Sequence, residues 1–199
     1  MKKKMKLIQP NDFVAAAVEL AEILRRPGAV VLVPTETVYG LIARASDEEA
    51  IKRIYGLKGR QFDKPLGWFV GDWKKLPEYG VNITGLPEKL AAEYCPGALT
   101  IIAPRTDGST QGFRVPDTPL LAALLREIGE PLVQTSANAS GMPDAADCEG
   151  ALLQLNGEVD CAVDGGKIDG VISGSTVVDA CGEKIKILRQ GKLDLQKWL

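Results

Sequence analysis

Four short segments hold the side chains that could do chemistry. Pro34 to Gly40 (PTETVYG) places the hydroxyls of Thr35 and Thr37, the Glu36 carboxylate and the Tyr39 phenol directly after an apolar run. Lys58, Arg60 and Lys64 set three cations within seven residues. Arginine grips phosphate or carboxylate oxygens through paired N–H groups, and lysine adds a point charge. Thr135 to Gly141 (TSANASG) ends another apolar run in small hydroxyl and amide side chains, among them Ser136 and Asn138. Gly174 to Asp179 (GSTVVD), with Ser175, precedes Ile187 to Gly191 (ILRQG), with Arg189. Taken alone, each has a plainer reading. Threonine and serine clusters cap helices or make turns, a basic loop is commonly solvated, and a lone arginine makes a surface ion pair worth at most about 1 kcal/mol.

The chain of 199 residues has no histidine. That excludes Ser-His-Asp and Cys-His nucleophile systems, histidine zinc sites and a histidine general base. The remaining inventory of lysine, arginine, carboxylates, hydroxyls and backbone amides tilts toward anionic, phosphate-bearing substrates. Neither the P-loop spacing nor G-x-G-x-x-G is present. A net charge of −2 and a pI near 5.4 give no support for a broad nucleic-acid footprint. Cys95, Cys148, Cys161 and Cys181 form no C-x-x-C pair and read as reduced thiols, with Cys148, between two acids, expected at the surface. No apolar run approaches the length of a membrane span. The basic start, MKKKMKLIQP, reads as a solvated tail and not as a signal peptide, so a cytoplasmic protein without a membrane role is expected.

These segments must be held by a scaffold, and the residue periodicity outlines one. Helices are expected over 11–26 (capped by Asn11), from a Ser46/Glu49 capping box to about Tyr55, over Leu86–Tyr94, from Asp117/Thr118 to Ile128, over Asp144–Leu155, and at Asp194–Leu199. Strands are expected at Ala29–Val33, Leu66–Val70, Leu99–Ala103, Phe113–Val115, Leu132–Thr135, Cys161–Val163, Ser175–Val178 and Lys184–Leu188. Several connections are too short for helical crossovers. The expected fold is therefore α/β (α+β): a twisted mixed parallel/antiparallel sheet covered by helices, in one domain over 1–199.

The order PTETVYG, KGR with K-P-L, PGALT (Pro96 to Thr100), FRVPDTP (Phe113 to Pro119), SANASG, GSTVVD, ILRQG resembles the YrdC/TsaC family of threonylcarbamoyl-AMP synthases over roughly residues 10–191. The resemblance implies a YrdC-like sheet around a basic cavity. It implies a nucleotidyltransferase that joins L-threonine, bicarbonate and ATP, with Mg2+ accompanying the ATP. The products are L-threonylcarbamoyladenylate and pyrophosphate, the former used through downstream transfer proteins to modify adenosine 37 of tRNA. Carried over by motif, Thr35, Thr37, Arg114, Ser136 and Ser175 would contact threonine. Lys58, Arg60, Lys64, Thr110, Ser136, Asn138 and Arg189 would contact ATP, with Lys58 and Arg60 catalytic and no protein metal site. The chain departs from the family pattern at Ile42, where a glycine is usual, and at Gly67-Trp68-Phe69. A double-stranded RNA or tRNA-binding module, and a YrdC-like relative that binds ATP but takes another substrate, are the alternative readings.

Overall fold

The computed structural model describes residues 5–170 and 174–199. The ten strands are β1 (Lys6–Ile8), β2 (Val31–Val33), β3 (Gly40–Arg44), β4 (Gly67–Phe69), β5 (Leu99–Pro104), β6 (Thr110–Arg114), β7 (Leu132–Ser136), β8 (Cys161–Val163), β9 (Thr176–Asp179) and β10 (Lys186–Arg189). They form one sheet in the order β1-β8-β2-β3-β7-β4-β6-β5-β9-β10. Parallel pairs (β1/β8, β2/β8, β4/β6, β5/β9) mix with antiparallel ones, as the short connections require.

Among the described residues five α-helices cover it: α1 (Phe13–Leu24), α2 (Glu48–Lys58), α3 (Leu86–Tyr94), α4 (Pro119–Ile128) and α5 (Cys148–Leu153). Alternation along the strands sorts side chains to the two faces. Val31, Val33, Ile42, Phe69 and Leu132 pack under α1 and α4, whereas Leu32, Leu41 and Val133 pack with α2 and α5. Leu99, Ile101, Ala103, Phe113 and Val178 form a third core with α3 and the 3-10 turn Trp73–Tyr79. A fully buried leucine such as Leu20 or Leu124 contributes roughly 2 kcal/mol of hydrophobic stabilisation.

Several sequence expectations are corrected. Asp12, not Asn11, caps α1, because its carboxylate accepts from the N–H groups of Val14 and Ala15. Asp47, not Ser46, caps α2, and the same side chain accepts from Gly28 N–H across the fold. Strand β3 begins on the last residue of PTETVYG, Gly40, where no strand was expected. The expected tail also contains β1, which pairs with β8, while residues 1–4 lie outside the described residues. The helix expected over Asp144–Leu155 is confined to α5. Cys148 is buried under it and Cys181 is the exposed thiol. Ile42 points into the α1/α4 core and pairs with Val31 and Gln134 at the backbone, so this departure is a packing residue.

Candidate active site

On β5, β6 and β9, the residues facing away from the α3 core remain uncovered by any helix. Thr100 and Ile102, Thr110, Gly112 and Arg114, and Val177 thus line a cavity of about 260 Å3. The PTETVYG loop closes one side through Thr37 and Val38, Arg60 another, and Ser136, Ser175 and Arg189 the rest. Its described lining includes Arg60, Arg114 and Arg189 but no carboxylate, so a chain of net charge −2 carries a basic cavity. A larger cleft of about 620 Å3 opens beside α4, lined by Leu76, Pro119 and Leu125 with acids and bases intermixed. Converging polar groups, not size, single out a binding site, and they favour the smaller cavity.

Arg114 is 3% exposed and held on three sides. Its Nε donates to Gly97 O at 3.0 Å, Nη1 donates to Thr37 Oγ1 at 3.0 Å, and Nη2 stands 2.6 Å from Glu36 Oε1. The Nη2 contact is a buried ion pair whose alignment falls outside hydrogen-bond geometry. Glu36 Oε1 also accepts from Asp117 N–H at 2.9 Å, tying the loop to the segment after β6. Thr35 lies behind the cavity. Its hydroxyl donates to Val38 O and accepts from the N–H groups of Thr37 and Val38. It therefore shapes the loop that presents Thr37.

At the opposite end, Gly59 closes α2 in the left-handed region (φ 58°), a conformation glycine adopts without penalty. The chain turns there, and Arg60 reaches the cavity, with Nε and Nη2 donating to Lys64 O and Pro65 O at 3.2 Å. Lys58 does not line the cavity. It is buried, and its ammonium donates to Ser136 O, to Asn138 O at 2.6 Å and to Asn138 Oδ1 at 3.1 Å. Burial, with Arg60 adding to it, lowers its pKa from 10.5 to about 8. The loop after β7 is drawn together further by Ser136 Oγ, which donates to Asn138 Oδ1 at 2.5 Å, and by Asn138 Nδ2, which donates to Met142 O. Lys64 is exposed and outside the lining, and Asn138 is buried in the loop.

Arg189 enters from β10, its Nε donating to Ser175 O at 3.0 Å and its Nη2 to Ser175 Oγ at 3.3 Å. Ser175 Oγ is also 2.7 Å from Thr100 Oγ1. This approach requires Gly191, where a Cβ would come within 2.4 Å of Thr176 N. Burial lowers the Arg189 pKa; the Asp144 charge offsets part of that, and the Arg114 charge adds to it more weakly. Two cations that repel across one cavity favour an anion between them. Thr110 lies at the rim. The geometry thus gathers Thr37, Arg60, Thr110, Arg114, Ser136, Ser175 and Arg189 around one space, with Thr35, Lys58 and Asn138 behind it. Sequence reading passed over Thr100 and Gln134, both in the lining. A lone amide in the apolar strand LVQTS was the available signal for Gln134.

Fold and site together define an α/β domain whose sheet carries a cavity ringed by arginines and hydroxyls. The family model Sua5_yciO_yrdC, described as telomere recombination, matches residues 23–191, and the chain belongs to this family. It is 40% identical over 182 residues to a threonylcarbamoyl-AMP synthase of Bacillus subtilis, covering 84% of this chain and 51% of that protein. To a putative threonylcarbamoyl-AMP synthase of Mycobacterium tuberculosis it is 34% identical over 181 residues, 86% of this chain and 82% of that one. The crystal structure of P. abyssi Sua5 complexed with L-threonine is similar at 30% identity with a TM-score of 0.83, covering 98% of this chain and 59% of that chain. E. coli YciO shares the fold at 24% identity and a TM-score of 0.83, covering 99% of this chain and all of that one. The chain spans about half the length of the Bacillus and Pyrococcus relatives it matches. No helix among the described residues is long and apolar enough to cross a membrane.

Proposed function

We propose that this chain is an L-threonylcarbamoyladenylate synthase. The observation that carries the reading is the placement of Arg114, Arg60 and Arg189 around one cavity whose described lining holds hydroxyls and no carboxylate. The relatives named threonylcarbamoyl-AMP synthase support it.

In this reading, the threonine amine joins bicarbonate to give the N-carboxylated amino acid and water. A carboxylate oxygen of that carbamate then attacks the α-phosphorus of ATP, and the bond to pyrophosphate breaks. Two anions must meet, so fixed positive charge is the main requirement, and a carboxylate nucleophile needs no histidine base. Arg114 supplies the charge that holds the threonine carboxylate, its guanidinium steadied by Thr37, Gly97 and Glu36. Ser175, fixed by Thr100 and Arg189, flanks the amino acid. Arg60 and Arg189 receive the phosphates, with Thr110 and Ser136 as neutral donors. Lys58 holds the Ser136–Asn138 loop in place, and Lys64 supplies charge outside the mouth.

The described lining offers hydroxyls but no carboxylate, so Mg2+ would be brought by the triphosphate, with Thr110 and Ser136 the nearby hydroxyls at the proposed phosphate end. Among the described residues no group of three or more His, Cys, Asp or Glu side chains converges to hold a metal. Bound in this way, Mg2+ would neutralise phosphate charge. The labile product would pass to cytoplasmic transfer proteins acting on tRNA.

Calorimetric titration tests the substrate side of this proposal. Threonine is expected to bind in the presence of a non-hydrolysable ATP analogue, and serine or valine at least about tenfold more weakly. Analogue binding without any threonine heat would favour a family member with another substrate. Affinity for tRNA that falls steeply with salt, and is not displaced by ATP, would favour the RNA-binding reading.

A further inference from the structure

We propose that Gln134 is a substrate-contacting residue whose carboxamide hydrogen-bonds the one-carbon unit, as bicarbonate and then as carbamate, between the amino-acid and nucleotide ends of the cavity. The inference rests on the synthase reading above.

Gln134 is the one amide in β7, with Leu132 and Val133 buried before it. Its side chain lines the cavity and makes no hydrogen bond to the described residues. A half-buried amide without a partner among the described residues has its donors and acceptor available for a ligand.

The neighbouring strand makes room for it. Gly67 pairs with Gln134 across β4 and β7, and a Cβ at Gly67 would come within 2.7 Å of Gln134 Nε2. The amide therefore lies over the glycine, on the cavity floor. Ser136 stands two residues further along β7, toward the proposed phosphate end. In the other direction β4 leads to β6, where Gly112 and Arg114 mark the proposed threonine end. Gln134 sits where the two ends must join.

The chemistry suits that junction. The amide N–H donates to a bicarbonate or carbamate oxygen, and the amide oxygen accepts the carbamate N–H. An uncharged group there does not compete with the arginines for phosphate.

Steady-state kinetics with bicarbonate, threonine and ATP varied in turn tests the proposal. Gln134→Leu is expected to raise the bicarbonate KM by about tenfold or more, with the ATP KM changed less than about twofold. Gly67 lies outside the left-handed region, so Gly67→Ala strains no backbone and meets mainly the mobile end of Gln134. It is expected to raise the bicarbonate KM in the same way, and to have no further effect when added to Gln134→Ala, whose side chain cannot clash. An unchanged bicarbonate KM in Gln134→Leu, an equal rise in all three KM values, or an undiminished effect of Gly67→Ala on the Gln134→Ala background would overturn it. Wild-type turnover independent of bicarbonate would instead reject the synthase reading itself, so the two failures are distinct.

Discussion

Arg114→Ala is expected to lower kcat/KM for threonine by about ten- to two-hundredfold while leaving the ATP KM within about threefold. A charge-assisted bond to a carboxylate is worth about 1.5–3 kcal/mol, and the upper value corresponds to more than a hundredfold. The side chain also anchors Thr37 and the carbonyl of Gly97, so its loss loosens the loop as well as removing the charge. Lysine is not expected to restore activity, because a single ammonium cannot meet Gly97, Thr37 and Glu36 with the geometry of a planar fork. Stability complicates the measurement, since removal of Arg114 strands Glu36. The Glu36 side chain keeps 20% of its exposure, so the cost should fall below the 3–5 kcal/mol typical of a fully buried broken pair. Glu36→Gln combined with Arg114→Met removes the stranded charge. If that double variant recovers stability and threonine turnover together, Arg114 is a structural residue and not a ligand-holding one.

The second large effect concerns Lys58, which the sequence places among the phosphate contacts and the structure places behind them. All three of its N–H donors go to the Ser136–Asn138 loop. Lys58→Met removes three donors from the loop, leaving Asn138 Oδ1 only the Ser136 hydroxyl, and a loss of about 3 kcal/mol of stability at pH 7 is expected, with turnover falling as the loop loosens. The pH dependence separates this from a generic packing defect. The folded-state pKa is about 8 against 10.5 for the free side chain. Between those values the unfolded chain holds a proton that the folded chain has released, so stability rises with pH. This contribution is fully present above about pH 10.5 and is lost as the pH falls through about 8. Its slope is at most about 1.4 kcal/mol per pH unit. The methionine variant lacks it, so its deficit relative to wild type should widen from pH 8 to pH 10 in denaturant titrations. Parallel curves across that range would show that Lys58 does not titrate in this window.

Much of the scaffold was legible because its elements carry local signals. Pro87 and Pro119 open α3 and α4, Gly129 closes α4, and alternating or continuous apolar runs mark β5, β7 and β8. Strand β3 was harder to read, because its five residues sit between a polar motif and a helix cap. Asn11 and Ser46 each have an aspartate next to them, and the side chain that reaches the free N–H groups is decided by backbone direction, not by residue type. Cys148 has acidic neighbours in sequence, yet α5 turns it inward. The site followed the same division. Motifs on strand ends identified Thr37, Arg114, Ser136, Ser175 and Arg189, which share the cavity. Whether a cation in a basic loop faces the cavity or turns back onto the protein depends on the turn at Gly59, and that is why Lys58 and Arg60 part company.

The claim that these residues form a synthase is tested most directly by pyrophosphate release from ATP by the purified chain with Mg2+. Release is expected only when threonine and bicarbonate are both present, and Arg60→Ala should reduce it by at least about tenfold. Release of equal rate with either substrate omitted, or indifference to Arg60→Ala, would contradict the account.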